Sequence, residues 1–196
     1  TASTTAATNG KVTLTGKATD SLSGIIAFQF STNASLTASS SGWTTITATT
    51  AQISKTYAAT ANGTYYFYVK DQAGNIAKKS ITVSNIDKTA PTLSSINVTS
   101  PATGTYKAGQ VVTIVATYSE NIYGNASKAT ITSSTAPVLK IKFGTGTIRT
   151  ATFSSVNGKT ITYTYKIASG DNGRLATTSY TGTVYDQAGN KLTVAN

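Results

Sequence analysis

The sequence predicts an all-β protein built as two β-sandwiches in series, and three observations carry that expectation. Apolar and polar residues alternate with period two through most of the chain, while sustained helical periodicity is hard to find. Short strand-like stretches recur between turn pairs such as Asn9-Gly10, Ser23-Gly24, Ser41-Gly42, Asn62-Gly63 and Gly74-Asn75. The pentapeptide Asp71-Gln72-Ala73-Gly74-Asn75 returns unchanged as Asp186-Gln187-Ala188-Gly189-Asn190, each time after a tyrosine-rich alternating segment. Such a repeat means one small module used twice.

In the first half, residues 12–14, 25–30, 43–46, 52–57, 63–70 and 76–83 read as strands. Short strands at this spacing suggest a sandwich of about seven strands with Greek-key links. A boundary follows at Asn85-Ile86-Asp87-Lys88-Thr89-Ala90-Pro91-Thr92, giving one domain over residues 1–87 and another over 88–196. Proline forces an extended entry and cannot serve in a central ladder, so it suits a stiff junction. In the second half, residues 111–118, 138–143, 148–153, 160–167, 179–185 and 192–194 are the strand candidates. Ile161, Tyr163, Tyr165 and Ile167 share one face, with Thr160, Thr162, Thr164 and Lys166 on the other, as a half-buried antiparallel strand requires.

Composition removes whole classes of chemistry. The 196 residues include no cysteine, so disulfides, thiol nucleophiles and thiolate metal sites are excluded. They include no histidine, which removes the usual general base at neutral pH and the commonest metal ligand. The net charge of +10 raises nucleic acid as a partner, but the lysines are dispersed. The densest groups are Lys78-Lys79 and Lys140-Ile141-Lys142, the latter with both lysines on one strand face. A solvated sheet face, or attraction to an anionic cell envelope, explains the charge without nucleic acid. No apolar run approaches membrane-spanning length and the N-terminus lacks a signal-peptide pattern, so the chain reads as a piece of something longer.

The repeated pentapeptide has two readings. Glycine at its fourth position can take positive φ and the aspartate can accept backbone N–H bonds, which makes a hairpin turn between the last two strands. Alternatively its carboxylate helps to hold calcium, whose ligands are carboxylate and carbonyl oxygens. In an immunoglobulin-like sandwich the loop after the second strand and the loop before the last strand gather at one end. Asp20 and Asp71 occupy these loops in the first module, Glu120 and Asp186 in the second, and Asp87 lies in the junction. Five of the six acidic residues are thereby accounted for, with Asp171 the outlier. The candidate metal ligands are Asp87, Glu120, Asp186 and Asn190, with backbone carbonyls or water completing the six to eight oxygens calcium takes.

Along Tyr65-Tyr66-Phe67-Tyr68, Tyr65 and Phe67 face the core and Tyr66 and Tyr68 face away. The outer pair forms either a stacking surface for sugars or a floor beneath a neighbouring loop. Trp43, the sole tryptophan, reads as core or core rim. For catalysis there remain a carboxylate pair or a serine–lysine couple, and neither stands out, so no catalytic residue and no enzyme are expected. An intramolecular lysine–asparagine amide bond is compatible with the composition, through Lys107, Asn196 and Glu120 or through Lys17 and Asn85.

The first half resembles the bacterial Ig-like repeats found in tandem on large secreted or surface-anchored proteins. The residues that carry this are Gly63-Thr64-Tyr65, the run from Val69 through Asn75, and Asp87-Lys88-Thr89-Ala90-Pro91-Thr92. The second half is similar to a related Ig-like type, through Thr117-Tyr118-Ser119-Glu120-Asn121, Pro137-Val138-Leu139, Arg149-Thr150-Ala151-Thr152-Phe153, Thr162-Tyr163-Thr164-Tyr165, Gly170-Asp171 and the closing pentapeptide. The resemblance implies two immunoglobulin-like β-sandwiches in tandem, extracellular or on a bacterial cell surface, serving as stalk, adhesin or surface-array (S-layer) segment. Implied partners are a host or cell-surface glycan or protein, or neighbouring copies in an array ordered by calcium. The alternative is a carbohydrate-binding module using Tyr66 and Tyr68.

Overall fold

The computed structural model describes residues 1–102 and 105–195, which form antiparallel sheets without a helix. Among these residues no helix is long and apolar enough to cross a membrane. The chain divides into two compact units, Thr1–Asp87 and Lys88–Asn196.

The first unit contains β1 (Val12–Ala18), β2 (Ile25–Ser31), β3 (Thr44–Thr49), β4 (Ile53–Ala59), β5 (Gly63–Asp71) and β6 (Ile76–Val83). One sheet has the order β3-β2-β5-β6 and the other pairs β1 with β4. Period two decides the faces: Val12 and Leu14 of β1 point inward with Ile53 and Ala59 of β4, against Ile25, Tyr65, Phe67 and Val83 of the larger sheet. The segment before β1 makes two isolated bridges. Ala2 bridges Leu14 antiparallel, and Thr8 bridges Ile86 in parallel.

The second unit contains β7 (Leu93–Ser100), β8 (Val111–Tyr118), β9 (Val138–Phe143), β10 (Arg149–Thr150), β11 (Thr152–Asn157), β12 (Thr160–Lys166), β13 (Leu175–Tyr185) and β14 (Lys191–Ala195). Two four-stranded sheets, β11-β12-β8-β7 and β10-β9-β13-β14, enclose one core. Alternation is clean on β8, where Val112, Ile114, Ala116 and Tyr118 are buried, and on β9, where Leu139, Ile141 and Phe143 are. Lys140 and Lys142 take the other face of β9, as their spacing predicts.

Three stretches differ from the pattern reading. Residues 148–153 are two strands: β10 pairs with β9 and β11 with β12, the chain changing sheets at the buried Ala151. Strand β7 has no counterpart among the expected strands, because its register shifts twice against β8 and blurs its alternation. Strand β13 begins at Leu175, four residues before the expected start, because a shift between Thr177 and Ser179 interrupts its pattern.

Candidate functional site

The repeated pentapeptide folds into the same self-contained turn in both units. In the first, Asp71 Oδ1 accepts from Asn75 N at 2.7 Å and Asp71 Oδ2 from Asn75 Nδ2 at 2.8 Å. In the second, Asp186 Oδ1 accepts from Asn190 N at 2.8 Å and Asp186 Oδ2 from Asn190 Nδ2 at 2.7 Å. Gly74 and Gly189 both sit at φ 90°, the left-handed region that glycine enters without a Cβ penalty. One carboxylate thus holds both donors of one asparagine across a glycine that reverses the chain. The turn needs no ligand to close.

Surroundings distinguish the copies. Asp71 is half-buried, and the Asn75 side-chain amide foremost holds its carboxyl below the usual range. Asp186 is fully buried. Each turn meets the loop that topology assigns to it. Gln72 N donates to Gly24 O at 3.0 Å, beside the loop in which Asp20 accepts from Leu22 N and Ser23 Oγ. In the second unit Tyr123 and Tyr185 exchange backbone bonds of 2.7 and 2.9 Å. That pairing accompanies Glu120 and Asp186, whose carboxylate oxygens lie within 4.8 Å of each other.

Of the four expected metal ligands, Glu120, Asp186 and Asn190 therefore share one end of the second unit. Asn190 Nδ2 also donates to Thr89 O at 3.2 Å, tying the start of this unit to its last hairpin. Asp87 closes the first unit, where its N–H donates to Thr8 O at 2.9 Å. Hard oxygen donors of this kind suit calcium or magnesium and not softer metals.

The two tyrosines offered as a sugar platform or a loop floor sit in different surroundings. Tyr68 faces away from the core as expected, yet it is 1% exposed. Residues 32–43 lie across it: Tyr68 OH donates to Asn33 O at 2.9 Å, and Trp43 meets its ring edge-on at 6.4 Å. Lys70 Nζ donates to Ala38 O and Lys78 Nζ to Ala34 O, pinning the loop further. Tyr66 stays half-buried with the Lys78 ammonium 5.4 Å above its ring. Trp43 belongs to this outer cluster and not to the sandwich core.

Asp171, the acidic residue that spacing left without a role, holds an ion pair with Arg149. Arg149 Nη2 and Nε each reach its Oδ1 at 3.1 Å, while Tyr165 OH at 2.6 Å and Ala168 N at 2.9 Å donate to Oδ2. The Tyr165 hydroxyl is the main cause of its lowered carboxyl pKa. The sequence signal was an acid in the glycine-flanked turn Gly170-Asp171-Asn172-Gly173. For the amide-bond candidates, Asn85 Nδ2 donates to Thr4 O and Ala6 O, while Asn196 lies outside the described residues.

In comparisons with known proteins, no family model, no curated protein and no solved structure matches the chain.

Proposed function

We propose that the chain is a pair of immunoglobulin-like β-sandwich modules of a bacterial cell-surface or secreted protein, non-enzymatic, working as a stalk, adhesin or surface-array segment. The observation that carries this reading is the identical turn closing the last hairpin of two otherwise different units. In both copies the carboxylate closes the turn, which gives the repeat a structural role that needs no substrate. Strand order supports the immunoglobulin-like assignment. The orders β11-β12-β8-β7 and β10-β9-β13-β14 correspond to the D-E-B-A and C′-C-F-G sheets of that fold. So does Tyr65, near the start of β5, whose OH donates back to Ala61 O at 2.8 Å in the manner of a tyrosine corner.

Load transmission is the test. Pulled by its ends in a polyprotein with a helical-bundle standard, the chain should unfold in two steps of roughly 30 and 38 nm, at about 0.35 nm per residue. Both steps should come at higher force than the standard. Yielding before the standard would overturn the structural role. Partners of such modules are neighbouring copies, or a cell-surface glycan or protein.

Calcium is the second part of the proposal, with Glu120 and Asp186 of the second unit as carboxylate ligands and Asn190 contributing Oδ1, since its Nδ2 is a donor. The proximity of Glu120 and Asp186 supports it: bringing two carboxylates together costs free energy that a divalent ion offsets. Millimolar calcium should raise the melting temperature of the wild type and not that of Glu120→Gln. An unchanged melting temperature in the wild type would end the calcium reading and leave the modular one standing.

A further inference from the structure

We infer that the first unit carries a binding site for a small amphiphilic carboxylate in the cleft between its two sheets. The cleft is a cavity of about 290 Å³ whose walls include Leu14, Gly16, Phe30, Phe67 and Ile81, with Lys17 and Lys79 also lining it. Its walls follow from strand register. Across β5 and β6, Tyr65 pairs with Ile81 and Phe67 with Lys79. Paired residues share a face, so Lys79 stands on the inner, core-facing side of its sheet beside buried Phe67. Its neighbour Lys78 pairs with Tyr68 and takes the outer side.

The opposite wall is shaped by a missing side chain. Gly16 faces inward on β1, and a Cβ there would fall 2.3 Å from the Phe67 ring. Glycine therefore lets that ring lie against the backbone of β1. Phe30 packs on it at 4.8 Å and stacks on Tyr57 at 5.4 Å, so the apolar wall is a run of interlocked rings. The result is an apolar slot at the edge of the sandwich with an ammonium on its inner face.

Charge selects the occupant. Lys79 makes no ion pair with a carboxylate among the described residues. An inward lysine on an edge strand also discourages pairing with another sheet. That role accounts for the charge and leaves the lined cavity beside it unexplained. The volume lies at the small end of ligand pockets, and a site of apolar walls whose charged lining residues are lysines, with Lys79 the inward-facing one, orients a ligand by its opposite charge. A medium-chain alkyl or aryl carboxylate meets both requirements: its apolar body fits among Phe30, Phe67, Leu14 and Ile81, and its carboxylate meets Lys79 at the mouth. This site does not depend on the modular reading above.

Octanoate titrated into the full chain, followed by amide NMR, is the direct experiment, with isosteric octanamide as the neutral control. Saturable shifts should centre on Leu14, Gly16, Phe30 and Phe67. Lys79→Gln should weaken octanoate about fivefold, the worth of a partly exposed charge pair, and leave octanamide unchanged. Lys78→Gln, one residue away on the outer face, should leave both unchanged. Equal binding of octanoate and octanamide, equal effects of the two lysine substitutions, or no saturable shift in the cleft would each overturn the inference. Because Lys79 is exposed, its substitution leaves the core intact, and the spectrum itself reports whether the fold is retained.

Discussion

Three tyrosine hydroxyls meet in the core of the second unit, and their bonds have one direction. Tyr163 OH lies 2.7 Å from Pro137 O, which can only accept, so the Tyr163 proton is committed there. Tyr180, 3.2 Å from Tyr163, must then donate to it, and Tyr118, 2.8 Å from Tyr180, must donate to Tyr180. The chain runs Tyr118 to Tyr180 to Tyr163 to Pro137 O. Removing the middle oxygen by Tyr180→Phe leaves the buried Tyr118 donor with no acceptor, at a cost of about 1–3 kcal/mol. Tyr118→Phe removes only the first link, every remaining donor keeps its acceptor, and about 0.5–1.5 kcal/mol is lost. Tyr163→Phe strands both the Tyr180 donor and the Pro137 carbonyl and should cost the most. The Tyr118→Phe/Tyr180→Phe pair should cost less than the sum of its parts, because no orphaned donor survives. Urea denaturation monitored by NMR resonances of β8, β12 and β13 reads this unit separately from the first. Refutation would be Tyr118→Phe costing more than Tyr180→Phe, or a strictly additive pair.

The same burial governs alkaline stability. Desolvation pushes Tyr118 up to about 12 and raises Tyr163 and Tyr180 further. Groups with raised folded pKa values give stability that is complete below the unfolded value of about 10 and lost as pH climbs above it. Three of them should steepen the loss to about 4 kcal/mol per pH unit, with Tyr180→Phe reducing the slope by about a third, as circular dichroism between pH 9 and 12 would report. Acid acts in the opposite sense. Asp171 and Asp71 have lowered folded values, held chiefly by Tyr165 OH and the Asn75 amide respectively, so their contribution is present above the ordinary value of 3.8 and lost as pH falls below it. Tyr165→Phe should flatten the acid limb of the second unit's melting curve and leave that of the first alone. Gly74→Ala meets open space but forces alanine to φ 90°, so a destabilisation of about 1–2 kcal/mol, read by urea denaturation of the first unit, would be backbone strain alone.

What was legible in the sequence was whatever period two or a local turn encodes. Alternation on β8, β9 and β12 separated core from surface because both sheets bury one face, so each strand needs only its own residues to announce its orientation. Strand β7 was silent because two register shifts break the alternation. The split of residues 148–153 was silent for a different reason: the pairing partner changes at Ala151 while the local pattern does not. Tyr66 and Tyr68 show the further limit. Their face was readable from parity, but whether water reaches them depends on residues 32–43, whose path is set by Tyr68 OH, Trp43, Lys70 and Lys78. The grouping of Glu120 with Asp186 was legible through topology, and the Arg149–Asp171–Tyr165 network was not, because its members are separated by loops of no regular period.

The two pentapeptide turns separate what five residues specify from what their surroundings add. Asp71 and Asp186 make the same bonds, of the same lengths within 0.1 Å, to the same asparagine atoms, with the same glycine conformation. The turn is therefore a property of the sequence Asp-Gln-Ala-Gly-Asn and would form wherever a hairpin delivers its ends at strand spacing. Burial is not part of that code: Asp71 keeps partial contact with water, whereas Asp186 has none. Selection for the turn alone would be met equally well in either setting. Asp186 lies within 4.8 Å of the Glu120 carboxylate, two acids together with one of them buried, which is the physical reason for testing a cation at that end of the second unit and not at Asp71.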